Sequence, residues 1–192
     1  STIVALSAMQ QAGGMDYLVT LTEKLLRHNP GYLNILAPTV TFILTVLSGT
    51  GYTAMSVMNV IQEVAKDNGI RPSQPLSSAV VASQLGITAS PISAATAIMY
   101  GTVEVMGVSF GDAMLIILPT ALFAMLIAAF IASRQGAKLA DDPVCQKIMQ
   151  ENKIVLNKQA SRPIPARAKS SVAIFLVGVV FVVCMLLFKS LI

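Results

Sequence analysis

The hydrophobic positions of this chain fall in long unbroken runs rather than in one-faced stripes. Residues 113–132 form a run of 20 without a charge, and residues 172–188 a run of 17. A helix needs about 20 apolar residues to cross a bilayer core about 30 Å thick. The first run meets that length. The second nearly does, and Lys189 just beyond it can snorkel its ammonium to the interface. Both are expected to cross a membrane.

Two earlier apolar stretches are interrupted. Residues 32–64 are broken at Ser48-Gly49-Thr50-Gly51. As one straight helix this stretch would run about 50 Å, well past the bilayer, while each side of the glycines has only about 15 residues. It is therefore either a broken crossing or a re-entrant hairpin that enters and leaves on one side. Residues 75–100 are broken at Thr88-Ala89-Ser90-Pro91, with Ser93 and Thr96 following. Proline lacks an N–H and disfavours helix in the residue before it. Two half-helices meeting at membrane depth are expected there.

The polar segments complete the pattern. Residues 1–12 read as the tail of an apolar helix, ending at Gly13-Gly14. Met15–His28 carries Leu18, Leu21 and Leu25 at helical spacing among Glu23, Lys24 and Arg27, and Asn29-Pro30 stops it. It reads as a short amphipathic helix on the membrane surface that serves only as a connection. Residues 135–171 are a polar loop with a weakly amphipathic middle.

Loop charge chooses between the two readings of 32–64. Lys24 and Arg27 precede that stretch, and Lys66 and Arg71 follow it. The loop 101–112 has Glu104 and Asp112 but no Lys or Arg, whereas 134–169 holds eight basic residues against three acids. Lys and Arg concentrate in cytoplasmic loops. If 32–64 returns to the side it left, every basic loop is cytoplasmic and the basic-free loop is external. A crossing puts the assignments in conflict, so the hairpin is expected.

Composition closes off other classes. Of the 192 residues, 55% are hydrophobic and 11% charged, against about 25% charged in ordinary soluble domains. The net charge of +4 fits basic cytoplasmic loops and gives no reason to expect nucleic acid as a partner. Cys145 lies in a polar loop and Cys184 deep in an apolar run, so no disulfide framework is expected. The chain starts at Ser1 and stops just after an apolar run, which reads as an excerpt of a longer protein.

No catalytic constellation appears, and no enzyme activity, cofactor or metal is expected. His28 sits at a polar helix end. Asp141 and Asp142 have no partner at metal-ligand spacing. Gly49-Thr50-Gly51 lacks the Lys-Ser/Thr of a phosphate-binding loop. The two breaks are the better candidates. Non-helical backbone at membrane depth is tolerated only where protein or a water-filled cavity satisfies its polar groups. Half-helix N-termini direct free amides and the positive ends of their dipoles at an anion, and freed carbonyls can hold a cation. The breaks are rich in hydroxyls, and no Lys or Arg lies within either stretch. The expected substrate-binding residues are Ser48, Gly49, Thr50, Gly51, Thr88, Ser90, Pro91 and Ser93. Small residues of this kind also serve close helix packing in membranes.

Several stretches resemble the Dcu family of anaerobic four-carbon dicarboxylate transporters of bacteria. They are Ser7-Ala8-Met9-Gln10, Ala12-Gly13-Gly14-Met15-Asp16-Tyr17-Leu18, Thr22-Glu23-Lys24-Leu25-Leu26-Arg27 and Ile35-Leu36-Ala37-Pro38. The likeness continues through Ser48-Gly49-Thr50-Gly51, Glu63-Val64-Ala65-Lys66 and Arg71-Pro72 to Pro75-Leu76-Ser77. Ile87-Thr88-Ala89-Ser90-Pro91-Ile92-Ser93-Ala94-Ala95 is the most specific stretch. The resemblance implies an inner-membrane carrier of fumarate, succinate, malate or aspartate, with this chain as its N-terminal half. A carrier for another organic anion, with or without sodium coupling, and a non-transporting membrane scaffold are the alternatives.

The expected fold is all-α: a polytopic membrane protein with a re-entrant helical hairpin and interrupted transmembrane helices, half of an inverted-repeat transporter. Residues 1–133 form the membrane domain: a partial helix, the surface helix, hairpin 32–64, interrupted helix 75–100 and helix 113–132. A basic cytoplasmic loop at 134–171 and a transmembrane helix at 172–192 follow. The expected partners are a dicarboxylate, the bilayer, the companion half of the carrier and a second copy in a homo-oligomer.

Overall fold

The computed structural model describes residues 14–134 and 168–189, and every element among them is helical. Seven α-helices follow in order among the described residues: α1 (Gly14–His28), α2 (Leu33–Ser48), α3 (Tyr52–Asp67), α4 (Ser73–Ala89), α5 (Ala94–Val103), α6 (Phe110–Arg134) and α7 (Ala168–Lys189). Short 3₁₀ turns at Pro30–Tyr32 and Glu104–Met106 lead into α2 and out of α5. The expected partial helix at 1–12, and Asp141, Asp142 and Cys145 in the polar loop, lie outside the described residues.

Both expected interruptions are present. The first falls at Gly49–Gly51, as the glycines require. The second falls at Ser90–Ser93, two residues later than the sequence reading placed it, so that Thr88 belongs to the last turn of α4. Pro119 lies inside α6 without ending it. Among the described residues two helices are long and apolar enough to cross a membrane: Phe110–Arg134, and Pro30–Ser48 once its 3₁₀ turn is included. The first arm of the interrupted stretch therefore reaches closer to a full crossing than its apolar count implied.

Helix α4 runs beside α2 in the same direction. Asn34 Nδ2 donates to Gln74 Oε1 at 3.3 Å near the start of both, and Ser90 Oγ donates to Val46 O at 2.7 Å near the end of both. Between these points Gly86 lies so close to α2 that a Cβ there would sit 2.9 Å from Thr45 Cβ and 3.1 Å from Phe42 O. Small residues make this approach possible: Ser78, Ala79, Ala82, Ser83, Gly86 and Ala89 are all buried. Without a water-driven hydrophobic force between helices in lipid, close van der Waals contact of this kind supplies the attraction.

Helix α3 doubles back along α2. One core cluster joins Leu33 and Ala37 from the start of α2 to Ile61, Val64 and Ala65 from the end of α3, with Leu44 and Val57 also in it. The end of α3 returns to the end of α1. Arg27 donates to Asp67 at 2.7 Å, to Glu63 at 2.8 Å and to Glu23 at 2.9 Å. Asp67 first, then Glu23, hold the guanidinium charged even more firmly than usual. These pairs are about one-third exposed, so each contributes only about 0.2–1 kcal/mol and is screened by salt. Arg27→Gln is therefore expected to lower stability by about 1–2 kcal/mol at low ionic strength and by less at high. Thermal unfolding of the purified protein in detergent at two salt concentrations measures this.

Helix α6 starts beside α5, where Tyr100 and Phe110 pack edge to face at 5.1 Å. It then runs back against α4 and α2, and Met125 and Ala121 close a second core with Phe42, Ala82 and Ala89. Charge is sorted by this path. Lys24, Arg27, Lys66, Arg71 and Arg134 fall at the end where α2 and α4 begin, and Glu104 and Asp112 fall at the other.

The reading of α1 as a bare connection is corrected. Its buried line is Leu18, Thr22 and Leu26, which spacing by four places on one face. Leu21 and Leu25, grouped with Leu18 in the sequence, stay exposed. Val172 of α7 packs on Tyr17 and Leu18. Helix α1 is thus a brace between α3 and α7.

Candidate functional site

The parallel offset of α2 and α4 has one consequence for the site. Their contacts join residues 40 to 44 apart in sequence, so both helices end at the same level. The two interruptions meet there. A Cβ on Gly49 would lie 3.0 Å from Ile92 Cγ1 and 3.3 Å from Ser93 N, and one on Gly51 would touch Ile87 and Ser83.

In the first break, Gly49 adopts φ 69°, the left-handed conformation that ends a helix cheaply only in glycine. Its N–H donates to Thr45 O at 2.8 Å. Thr53 Oγ1 donates to Ser48 Oγ at 2.7 Å, and Ser48 Oγ in turn lies 3.2 Å from Thr50 O and 3.4 Å from Thr45 O. Thr45 O already holds the Gly49 amide, so Thr50 O is the better acceptor for Ser48.

In the second break, Pro91 forces Ser90 into an extended conformation. Ser93 caps α5: its Oγ accepts from Thr96 N at 3.1 Å and lies 2.9 Å from Thr96 Oγ1. Thr96 Oγ1 spends its proton on Thr88 O at 3.1 Å, so Ser93 donates the bond between the two hydroxyls.

The expected site residues therefore divide. Ser48, Ser90 and Ser93 are buried and hold the two breaks in shape. Gly49 and Pro91 set the backbone. Thr88 is exposed, and its hydroxyl folds back onto Gln84 O at 3.1 Å, away from the joint. Thr50 differs from the other hydroxyls: its Oγ1 is buried without a partner among the described residues. A buried hydroxyl without a partner is costly. Gly86 was missed in the sequence, although Ala79, Ala82, Gly86 and Ala89 recur at the spacing of one helix face.

The joint holds no charged side chain. No Asp, Glu, Lys or Arg occurs between Arg27 and Glu63 or between Arg71 and Glu104. Helices α3 and α5 begin at the joint and α2 and α4 end there. The carbonyls of Thr45, Val46, Ile87 and Thr88 are all answered by amides or hydroxyls of the joint itself. First-turn amides have no partner within their own helix. Ser93 takes one of them, and each of the two N-termini carries about half a positive charge, set against the opposite half charges at the ends of α2 and α4.

The model of the family described as anaerobic C4-dicarboxylate membrane transporter matches residues 1–192. The chain belongs to this family. The C4-dicarboxylate transporter DcuA of Escherichia coli is 46% identical over 191 residues, covering 99% of this chain and 44% of the relative. DcuA of Wolinella succinogenes is 48% identical over 183 residues, covering 95% of this chain and 42% of the relative. The anaerobic C4-dicarboxylate transporter DcuB of Escherichia coli is 36% identical over 154 residues, 78% of this chain and 34% of the relative. The chain thus spans about two-fifths of the length of the DcuA relatives it matches. No solved structure matches it. The resemblance to the Dcu family holds over the entire chain, including the polar loop where its motifs fade.

Placing the hydroxyls in this transporter family member separates two substitutions that the sequence ranked together. Ser90→Ala removes the bond to Val46 O and is expected to weaken the joint by about 1 kcal/mol, the net worth of one such bond. Thr88→Val removes only a local bond on an exposed helix face and is expected to shift stability by less than about 0.5 kcal/mol. Unfolding midpoints of the two variants, each with substrate affinity measured in the full-length carrier, distinguish them. Equal effects would mean that Ser90 is no clamp.

Proposed function

We propose that the chain is the N-terminal half of an inner-membrane carrier that exchanges or takes up four-carbon dicarboxylates such as fumarate, succinate, malate and aspartate. One observation carries the reading: two helix breaks meet at one level, in a charge-free surrounding, with two helix N-termini directed to the joint. An anion fits a place where first-turn amides of two helices converge. The relatives are named as C4-dicarboxylate transporters, which supplies the substrate class.

In this reading α2 and α3 are the arms of a re-entrant hairpin, and α4 and α5 are one interrupted crossing. The first carboxylate of the substrate meets the amides at the start of α5 and the Thr50 hydroxyl. The amides at the start of α3 face it from the other break. The companion half, built as an inverted repeat, completes the site and takes the second carboxylate. Alternating access is rocking of this joint between the two sides. The exposed apolar face of α6 meets lipid or a second copy.

Two measurements test it. Labelled succinate counterflow in proteoliposomes of the full-length carrier is expected to be competed by unlabelled fumarate and aspartate but not by citrate. Equal competition by citrate gives the site to a broader class of organic anions, and no counterflow from folded protein removes the transport reading. For the hairpin, cysteines placed by Asn29→Cys and Asn68→Cys are expected to react with an impermeant thiol reagent from the same side. Labelling from opposite sides would make α2 and α3 a crossing.

A further inference from the structure

Helix α3 carries a polar line that the binding joint leaves unused. Tyr52, Ser56, Asn59, Glu63 and Lys66 recur at intervals of four, three, four and three, which is one face of a helix. The opposite face, with Ala54, Val57, Ile61, Val64 and Ala65, is buried against α2 and α4. The polar line faces out: Tyr52, Ser56 and Asn59 are exposed, and Tyr52, beside the break, is 70% exposed. It runs from the joint at Gly51 to the basic end of the molecule.

The exposed face of α6 shows what an unpartnered surface for lipid looks like in this chain. There Leu115, Ile116, Phe123 and Ile127 are exposed. Helix α3 exposes Met55 too, but beside it runs the polar line of Tyr52, Ser56 and Asn59. Ser56 answers itself by donating to Tyr52 O at 3.3 Å, so a hydroxyl at that place is compatible with lipid. The Asn59 side-chain amide has no such outlet: it makes no hydrogen bond among the described residues. It stands about 12 Å of helix from Asp67, midway down the arm. In hydrocarbon that amide would be without partners. At the lower end Glu63 shares Arg27 with Glu23 and Asp67, and Lys66, one turn on, adds a further positive charge.

We infer that the Tyr52–Ser56–Asn59–Lys66 face of α3 is the wall of the water-filled path along which the dicarboxylate travels between the basic side of the membrane and the joint. The inference rests on the transporter reading and adds the route to the site. The anion enters over Lys66, passes the uncharged donors of Asn59 and Ser56, and reaches the α3 N-terminus beside Tyr52. Its attraction grows along the way, because the positive end of α3 lies at the top of the line.

The test is cysteine accessibility in the full-length carrier, in a cysteine-free background that still shows counterflow. Ser56→Cys and Asn59→Cys are compared with Leu115→Cys and Phe123→Cys, using a charged, membrane-impermeant methanethiosulfonate added from the basic side. The two α3 variants are expected to react at least about tenfold faster than the two α6 variants, because thiol modification needs the thiolate and therefore water. Saturating succinate is expected to slow the reaction at Ser56→Cys. Rates on α3 no faster than those on α6 would overturn the inference, because the face would then be covered by protein or lipid. Reaction on α3 that succinate leaves unchanged would also overturn it, because the water there would not be on the route of the substrate. Counterflow in the background protein is scored separately, so loss of the transport reading and loss of this route give different results.

Discussion

Gly49→Ala is expected to disable the joint while Gly51→Ala, two residues away, leaves it nearly intact. At Gly49 the backbone holds φ 69°, where a side chain costs about 1–2 kcal/mol. The added methyl would also sit 3.0 Å from Ile92 Cγ1 and 3.3 Å from Ser93 N. Ile92 can shift by a few tenths of an ångström. The backbone at Ser93 cannot do so without moving the cap of α5, and that cap sets the direction of the first amides of that helix. Gly51 has φ −73°, and a methyl there meets Ile87 Cδ1 at an ordinary 3.4 Å. The expected result is a loss of about 2–3 kcal/mol in stability for Gly49→Ala, with substrate affinity reduced at least about tenfold. Gly51→Ala is expected to stay within about 0.5 kcal/mol. Melting temperature and succinate affinity of the two variants decide it. Equal behaviour would mean that the left-handed turn is unimportant to the site.

Gly86→Ala is expected to be the most damaging single-methyl change in α4. Its Cβ would meet Thr45 Cβ at 2.9 Å and the Phe42 carbonyl oxygen at 3.1 Å. Neither is the end of a flexible side chain, so α2 and α4 must separate. Overpacking of this kind costs about 1–3 kcal/mol. Separation also stretches the Ser90–Val46 bond, so counterflow is expected to fall together with stability. Gly101→Ala in α5 is the control, because a methyl there meets nothing within 4 Å and alanine is the better helix former by about 0.5–1 kcal/mol. A Gly86→Ala protein as stable as the control would show that the helices are not held at this distance.

The sequence carried the coarse plan because that plan rests on length and charge. Fifteen-residue arms around Ser48-Gly49-Thr50-Gly51, a proline after Ser90 and the one-sided Lys and Arg all reflect constraints on local backbone or on loops. Rotation about the helix axis was not legible. A helix that is apolar on every side has no stripe to fix its phase, so nothing in 32–48 or 75–89 said which residues face each other. For that reason Thr88 was grouped with Ser90 although its hydroxyl points away, and Gly86 was not singled out at all. In α1 the stripe was legible but mis-phased: Leu21 and Leu25 are as apolar as Leu26, and only packing against α3 decides between them. The serines of the breaks posed another difficulty. A hydroxyl that holds a loop and one that binds a ligand are the same letter, and only their partners tell them apart.

The contacts between α2 and α4 join residues 40 to 44 apart, and this has a consequence for how the protein is made. Loop closure over such a span is a modest entropic demand, and domains acquire structure in order from the N-terminus during synthesis. Both breaks, their serine clamps and the Gly86 contact lie within the stretch 42–96, so all the parts of the joint emerge together. They can lock against one another as soon as α4 and α5 have left the ribosome. The joint then exists as a nascent unit before later helices arrive, and α6 packs onto helices already clamped together.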